Sequence, residues 1–252
     1  MAFTDDALLE LLHETAVAVR AALDSTDDWG LAGARPGQYH SDLTADAAAL
    51  AVLERAEVGV LSEESGAHHT DRDLVVVLDP LDGSTNASRG IPWFGVSLCA
   101  VDAEGARAAL VVDLPHGRTF SAVRGAGARV DGLVLQPSGV TALGEALVGI
   151  SGFPPRPLGW YQFRTLGAAA LDLCAVAEGS LDAFVDCSPS AHGAWDYLGG
   201  ALVCSEAGAP VGDALGRELT VLDPSARRTP VAAGTPKLFA AVLDSRRAIV
   251  PG

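Results

Sequence analysis

A mixed α/β fold is predicted by three features of this 252-residue sequence. Leu8, Leu9, Leu12, Ala16, Val19 and Leu23 form an apolar stripe at helical spacing, the mark of a long amphipathic helix. The unbroken aliphatic run over residues 74–78 (LVVVL) is short and β-branched, as in a strand buried on both faces. From Ile91 onward, short apolar segments separated by turns at residues 103–105, 115–117 and 124–127 predict an antiparallel meander.

Taken in order, Thr4 can cap the first helix, whose opening turn carries Asp5 and Asp6 on the favourable side of the helix dipole. His13 on that helix reads as solvated or packed. Residues 29–39 are Gly-rich and include Pro36, which predicts a mobile loop. Residues 41–46 open a second helix over 47–56, with Asp42 and Asp46 as possible dipole partners. Residues 58–62 read as a short strand that delivers Glu63 and Glu64 to its end. A pair of glutamates is ordinarily surface charge. His68 and His69 follow in a polar loop and read as bystanders, since their surroundings are rich in oxygen ligands.

The buried strand over 74–78 leads into Asp79, Pro80, Leu81, Asp82, Gly83, Ser84, Thr85 and Asn86. Pro80 cannot extend a central ladder and Gly83 permits a tight turn, so the chain is expected to bend and hold Asp79 and Asp82 on one corner. Ser84 and Thr85 are both good helix N-caps. Two fixed carboxylates beside a helix start suit a divalent cation and a phosphate, although the same residues also make an ordinary acidic turn.

Further along, the glycines between Gly125 and Gly132 invite a dinucleotide-loop reading, but Pro137 and Gly139 leave no room for the helix that must follow. Residues 161–177 show helical spacing, with Leu166, Ala169, Ala170, Leu173 and Val176 on one face, and end at Glu178 and Gly179. Residues 181–186 read as a strand. Asp196 sits at a helix start, where a carboxylate can be a simple cap. Residues 231–243 read as a closing strand and helix, with Pro236 early in the helix.

Composition narrows the function classes. Hydrophobic residues make up 49% and charged residues 19%, as in a folded chain without a disordered tail. A net charge of −15 with only 17 Lys and Arg argues against nucleic acid as a partner. An anionic small substrate would need a metal to attract it. Cys99, Cys174, Cys187 and Cys204 lack a C-x-x-C spacing and are expected to be reduced core thiols. The first residues carry acids in place of a basic leader, and no uncharged stretch approaches the length of a membrane span. The expectation is a cytoplasmic protein with no membrane partner.

Residues 79–86 (DPLDGSTN) resemble the metal-binding motif D-P-[IL]-D-G-[ST] of the inositol monophosphatase-like family of magnesium-dependent, lithium-sensitive phosphatases. The resemblance runs in order along most of the chain. Asp42 and Asp46 resemble that family's D-x-x-T-x-x-D stretch at one residue shorter spacing. Glu63 and Glu64 resemble its G-E-E-[ST] element, and Gly125 to Gly132 its R-G-x-G-A-x-x-N-G turn with Asp131 in place of Asn. Arg164, Gly167 and Ala169 resemble its R-x-x-G-[ST]-[AS] element. Residues 195–208 (WDYLGGALVCSEAG) resemble its W-D signature.

This resemblance implies one phosphatase domain over residues 1–252, built as α/β/α/β/α layers. An antiparallel-rich N-terminal half over about 1–135 would precede a smaller α/β half over 136–252. It further implies two or three Mg²⁺ held by Glu63, Asp79, the Leu81 carbonyl, Asp82 and Asp196. The attacking water would be oriented by Glu63 and Ser84 with help from Asp42. Substrate and phosphate would be contacted by Asp82, Gly83, Ser84, Thr85, Ala169, Asp186 and Asp196.

The implied reaction is hydrolysis of a small polyol or sugar phosphate, foremost inositol monophosphate, by a homodimer. Fructose 1,6-bisphosphate, 3′-phosphoadenosine 5′-phosphate, histidinol phosphate and a non-catalytic ligand-binding role are the alternatives. Three departures bear on the substrate: Ala87 follows the motif where a bulkier residue is common, the 29–39 loop carries Arg35 but no Lys, and residues 187–194 are lengthened. His192 in that segment reads as a loop histidine within reach of a substrate.

Overall fold

The computed structural model describes residues 3–33, 35, 37–188 and 190–249. Pro36 of the predicted mobile loop lies outside the described residues. The first helix, α1 (Asp5–Asp24), begins where expected, with the Thr4 hydroxyl accepting the Ala7 N–H at 3.2 Å. Its buried face is Leu8, Leu11, Leu12, Ala16, Val19 and Leu23, with Leu9 only partly buried. Helix α2 (His40–Arg55) starts earlier than its spacing predicts, so Asp42 and Asp46 lie inside it. The reason is local: Asp42 at the third helical position accepts the Tyr39 N–H at 2.8 Å, which caps the helix from within.

An eight-stranded sheet follows: β1 (Gly59–Ser62), β2 (Gly66–His68), β3 (Val75–Asp82), β4 (Gly95–Asp102), β5 (Gly105–Asp113), β6 (Arg118–Val123), β7 (Gly127–Val130) and β8 (Leu133–Val134). Its order is β2-β1-β3-β4-β5-β6-β7-β8, with β1 and β3 parallel and every other pair antiparallel. Hairpins therefore fill the Gly-rich region from 125 to 132, as the meander predicts. His68 ends β2 and does not lie in a loop.

Strand β3 does not stop before Pro80. It continues to Asp82 through a register shift between Asp79 and Asp82 in its pairing with β4. The β1 partner ends at Leu78, and a bulge tolerates the missing proline N–H. The short helix α3 (Ser84–Ser88) is preceded by Gly83 at φ 86°, so Gly83, and neither Ser84 nor Thr85, occupies the cap position. Glycine is required there twice over: the backbone is left-handed, and a Cβ would lie 3.0 Å from the Trp93 carbonyl oxygen and 3.1 Å from the Ala168 Cβ.

The second sheet has five strands: β9 (Leu147–Gly152), β10 (Gln162–Arg164), β11 (Ala183–Cys187), β12 (Val211–Asp213) and β13 (Pro230–Ala233). Their order is β10-β9-β11-β13-β12. Helices α4 (Ala169–Ala177), α5 (Ala194–Ala207) and α6 (Pro236–Arg247) complete the chain. The predicted helix over 161–177 is thus shorter by half. Its first residues form the exposed edge strand β10, and Gly167 at φ 88° breaks any helical continuation into α4. The C-terminal end behaves as expected, with Glu178 capping and Gly179 at φ 83°.

Strand alternation sorts the core into layers. On β3, Val76 and Leu78 pack with α1 and α2, whereas Val75 and Val77 face α4 and α5. On β11, Phe184 joins the α4–α5 layer, whereas Ala183 and Val185 face Leu238 and Val242 of α6. The result is the expected α/β/α/β/α sandwich. Helix α4 is buried on every face, and α5 lies so close that a Cβ on Gly200 would stand 2.7 Å from the Ala170 carbonyl. All four cysteines are free and buried. Among the described residues, no helix is long and apolar enough to cross a membrane.

Candidate active site

Four elements end at one place between the two sheets. The parallel register of β1 and β3 pairs Ser62 with Leu78, and the Glu63 N–H donates to the Leu78 carbonyl at 3.1 Å. Glu63 is thereby set beside Asp79. From the other side, Asp196 enters at the third position of α5, where its carboxylate accepts the Gly193 N–H at 2.8 Å. One carboxylate oxygen from each of Glu63, Asp79 and Asp196 lies within 4.8 Å of the others.

Asp82 stands next to this group but is engaged differently. Its two carboxylate oxygens accept the N–H groups of Ala169 at 3.2 Å and Ala170 at 2.8 Å. It fastens the bulged end of β3 to the start of α4, where the helix dipole favours negative charge. Ala169 lines the cavity, but its N–H is already taken by Asp82. The Asp79 carboxylate accepts the Leu81 N–H at 3.0 Å, which holds the Leu81 turn rigid.

Burial and mutual repulsion leave these acids strained electrostatically. Burial, followed by the charges of Asp196, Glu64, Asp82 and Asp42, pushes Glu63 up to about 8. Asp79 is raised well above the ordinary carboxylate range by burial and by Glu63. Asp82 is pushed up to about 8, again by burial and then by Asp196. Arg35 does not relieve the group: its guanidinium bonds the carbonyls of Glu63 (3.2 Å) and Glu64 (3.0 Å) and the carboxylate of Glu64. Three converging carboxylates without an arginine or lysine among them fit a hard divalent cation, which takes oxygen ligands and cancels their repulsion.

A second tier supports the first. Asp46 accepts the Ser62 hydroxyl, and Ser62 in turn accepts the Glu64 N–H at 3.1 Å, fixing the turn that carries both glutamates. Glu64 is occupied by Arg35 and Gln38, so it ties the 29–39 loop to the site. Asp42 is pushed up to about 6 by burial, offset in part by the Tyr39 N–H, and its second oxygen is buried without a partner. Asn86 donates to the carbonyls of Trp93 (2.8 Å) and Leu166 (2.7 Å), strapping α3 to the segment before α4. Thr85 is exposed; its hydroxyl accepts the Tyr39 hydroxyl at 3.4 Å and its carbonyl accepts the Ser88 hydroxyl at 2.9 Å.

A cavity of about 120 Å³ opens beside these groups, lined by Asp82, Asp172 and Asp196, by Ser151 and His192, and by the 167–169 segment. Asp186 is not among them. It is fully buried behind His192, with its Oδ1 3.6 Å from the His192 Nε2. The side chain expected to face substrate at that position is therefore withdrawn, and a histidine stands in front of it. Burial lowers the affinity of His192 for a proton, but Asp196 and Asp186 outweigh it and push His192 up to about 9. Ser151 and Asp172 went unnoticed in the sequence: one lies near the end of an apolar strand and the other in an apolar helix, and the 2.8 Å bond from the Trp93 indole N–H reveals Asp172 as a built feature.

The sequence profile of the inositol monophosphatase family matches residues 41–250. A Pseudomonas aeruginosa protein named Nus factor SuhB is 34% identical over 83% of this chain and 82% of its own length. An Archaeoglobus fulgidus protein named fructose-1,6-bisphosphatase/inositol-1-monophosphatase is 33% identical over 84% of this chain and 86% of its own. Among solved structures, a Pyrococcus horikoshii protein described as similar to inositol-1 monophosphatase superimposes with a TM-score of 0.81 at 24% identity, covering 95% of this chain and 96% of the other, a likeness of fold. With the profile spanning most of the chain and the layered fold shared, this protein belongs to the inositol monophosphatase family.

Proposed function

We propose that the protein is a Mg²⁺-dependent phosphatase that hydrolyses a phosphate monoester of a small polyol or sugar, foremost inositol monophosphate. The observation that carries this reading is the convergence of Glu63, Asp79 and Asp196 within 4.8 Å, next to the start of α3. Glu63, Asp79, Asp196, Asp82 and the Leu81 carbonyl would hold the cations, two or three in number. Bound there, Mg²⁺ would supply a Lewis acid for the phosphoryl oxygens and lower the pKa of water.

The chain's own residues do the rest. The first N–H groups of a helix have no intrahelical partner, so those of Gly83, Ser84 and Thr85 are available to phosphate oxygens. Glu63 and the Ser84 hydroxyl orient the attacking water, assisted by Asp42, which stands at the third position of α2. Asp82 keeps α4 aimed at the site through Ala169 and Ala170. The same reading has the enzyme acting in the cytoplasm as a homodimer. Exposed Phe153, Tyr161 and Phe163 around the β10 edge support an association surface, which sedimentation would test.

The decisive experiment is phosphate release from inositol monophosphate, fructose 1,6-bisphosphate, 3′-phosphoadenosine 5′-phosphate and histidinol phosphate, with and without Mg²⁺, for wild type and Glu63→Gln. Release that needs Mg²⁺ and drops at least a hundredfold in the variant supports the reading. A wild type inactive on all four would favour a second reading, action through another macromolecule, for which the name of the Pseudomonas relative is the supporting observation.

A further inference from the structure

Helix α4 is apolar along its whole length except for Asp172, and that side chain is buried, with the residue 1% exposed. A carboxylate withdrawn from water in such a helix costs stability unless its bonds serve the surrounding structure. Among the described residues it makes one side-chain hydrogen bond, accepting the Trp93 indole N–H at 2.8 Å. An indole N–H can only donate, so a tryptophan packed against the α4–α5 layer needs an acceptor of this kind. Neither side chain has a part in the chemistry described above.

The pairing closes a frame around residues 82–93. At one end, Asp82 is fastened to the start of α4 through the N–H groups of Ala169 and Ala170. At the other, Trp93 is fastened about one turn further along the same helix. Both ends of the segment that carries Gly83, Ser84 and Thr85 are therefore moored to α4. Its middle is tied in as well: the Asn86 amide donates to the Trp93 carbonyl at 2.8 Å and to the Leu166 carbonyl at 2.7 Å. That Trp93 carbonyl lies against Gly83, 3.0 Å from where a Cβ would stand. A tryptophan that shifted on losing its indole anchor would carry its carbonyl with it, and Asn86 and the 83–85 turn would follow.

On the phosphatase reading above, we propose that Asp172 is a positioning residue: by holding the Trp93 indole it fixes the 83–85 turn where the phosphate of the substrate is received. The test compares wild type with Trp93→Phe, Asp172→Leu, the double variant of these two, and Asp172→Asn. The dissociation constant of inorganic phosphate is measured by calorimetry at fixed free Mg²⁺, together with kcat and KM for inositol monophosphate and phenyl phosphate. Trp93→Phe and Asp172→Leu should each weaken phosphate binding by roughly three- to tenfold, the range for a residue acting through a packed network. KM should rise by the same factor for both monoesters, because they share only the phosphate. The double variant should bind phosphate no more weakly than either single one, since both remove the same bond. Asp172→Asn should keep the wild-type affinity, its amide oxygen still accepting the indole N–H.

A purely structural role would lower the unfolding temperature of the variants and leave the phosphate dissociation constant unmoved, which overturns the proposal. Additive losses in the double variant, or an Asp172→Asn as weak as Asp172→Leu, overturn it too. The calorimetry separates this proposal from the reading beneath it. If wild type binds phosphate with Mg²⁺ but hydrolyses neither monoester, the phosphatase reading falls, and the affinities of the variants still decide the role of Asp172. A wild type that binds no phosphate overturns the proposal.

Discussion

Replacing Asp79 by Asn should make the metal-free protein more stable and the metal-loaded one less responsive to its cation. Glu63, Asp79 and Asp196 bring carboxylate oxygens within 4.8 Å, and Asp79 is the most deeply buried of the three. At that separation two full charges repel by about 3 kcal/mol at an effective dielectric of ~20, an upper bound because proton uptake relieves it. Asn keeps the shape and the oxygen that accepts the Leu81 N–H at 3.0 Å, so little else changes. Metal-free Asp79→Asn at pH 8 should therefore exceed metal-free wild type by about 1–3 kcal/mol, or roughly 3–10 °C for a chain of this size. Mg²⁺ at a hundred times its Kd should raise wild type by about 2.7 kcal/mol, and raise the variant by less than half of that. Thermal unfolding by circular dichroism, with and without Mg²⁺ and at constant ionic strength, reads both quantities. A wild type indifferent to Mg²⁺, or a metal-free variant less stable than wild type, would refute the view that these carboxylates are assembled for a cation.

Three further outcomes are expected. Asp172 is pushed up to about 7 by burial, against an ordinary value of 3.8, so the folded state holds its proton more tightly than the unfolded one. Stability from this group is present below about pH 4 and is lost as pH rises to about 7; Asp172→Asn, which can still accept the Trp93 indole N–H, should flatten that part of a pH–Tm profile, and an unaltered slope would disprove it. Gly200→Ala forces a Cβ to 2.7 Å from both the Ala170 carbonyl and the Leu173 Cβ, which predicts a loss of about 1–3 kcal/mol in denaturant unfolding. Asn86→Ala leaves the Trp93 and Leu166 carbonyls without a donor, at a cost of about 1–3 kcal/mol, and hydrogen exchange over residues 165–168 should quicken.

Much of the fold was legible before any coordinates. The α1 stripe, the buried strand before Asp79, the meander, and the strand–helix pair at the C-terminus all follow from periodicity and turn residues, because those signals are written over neighbouring positions. Where a segment's fate depends on distant partners, local reading failed. Residues 161–168 carry helical spacing, yet pairing with β9 makes β10 a strand and Gly167 ends the continuity. Pro80 should have ended its strand, yet a bulge against β4 carries β3 on to Asp82.

The site divides along the same line. The acids at 63, 79, 82 and 196 stand out in the sequence because each closes a short motif at the end of an element, and residue type there is dictated by local geometry and charge. What surrounds them was decided only in three dimensions. Asp82 turns out to hold α4 by its backbone, Glu64 to hold the loop through Arg35 and Gln38, and Asp186 to lie hidden behind His192 while Ser151 faces the cavity. These partners come from strands and helices far apart in the chain, brought together by the stacking of two sheets around α4 and α5. A sequence read locally records which groups are available, whereas burial and long-range packing determine which of them meet.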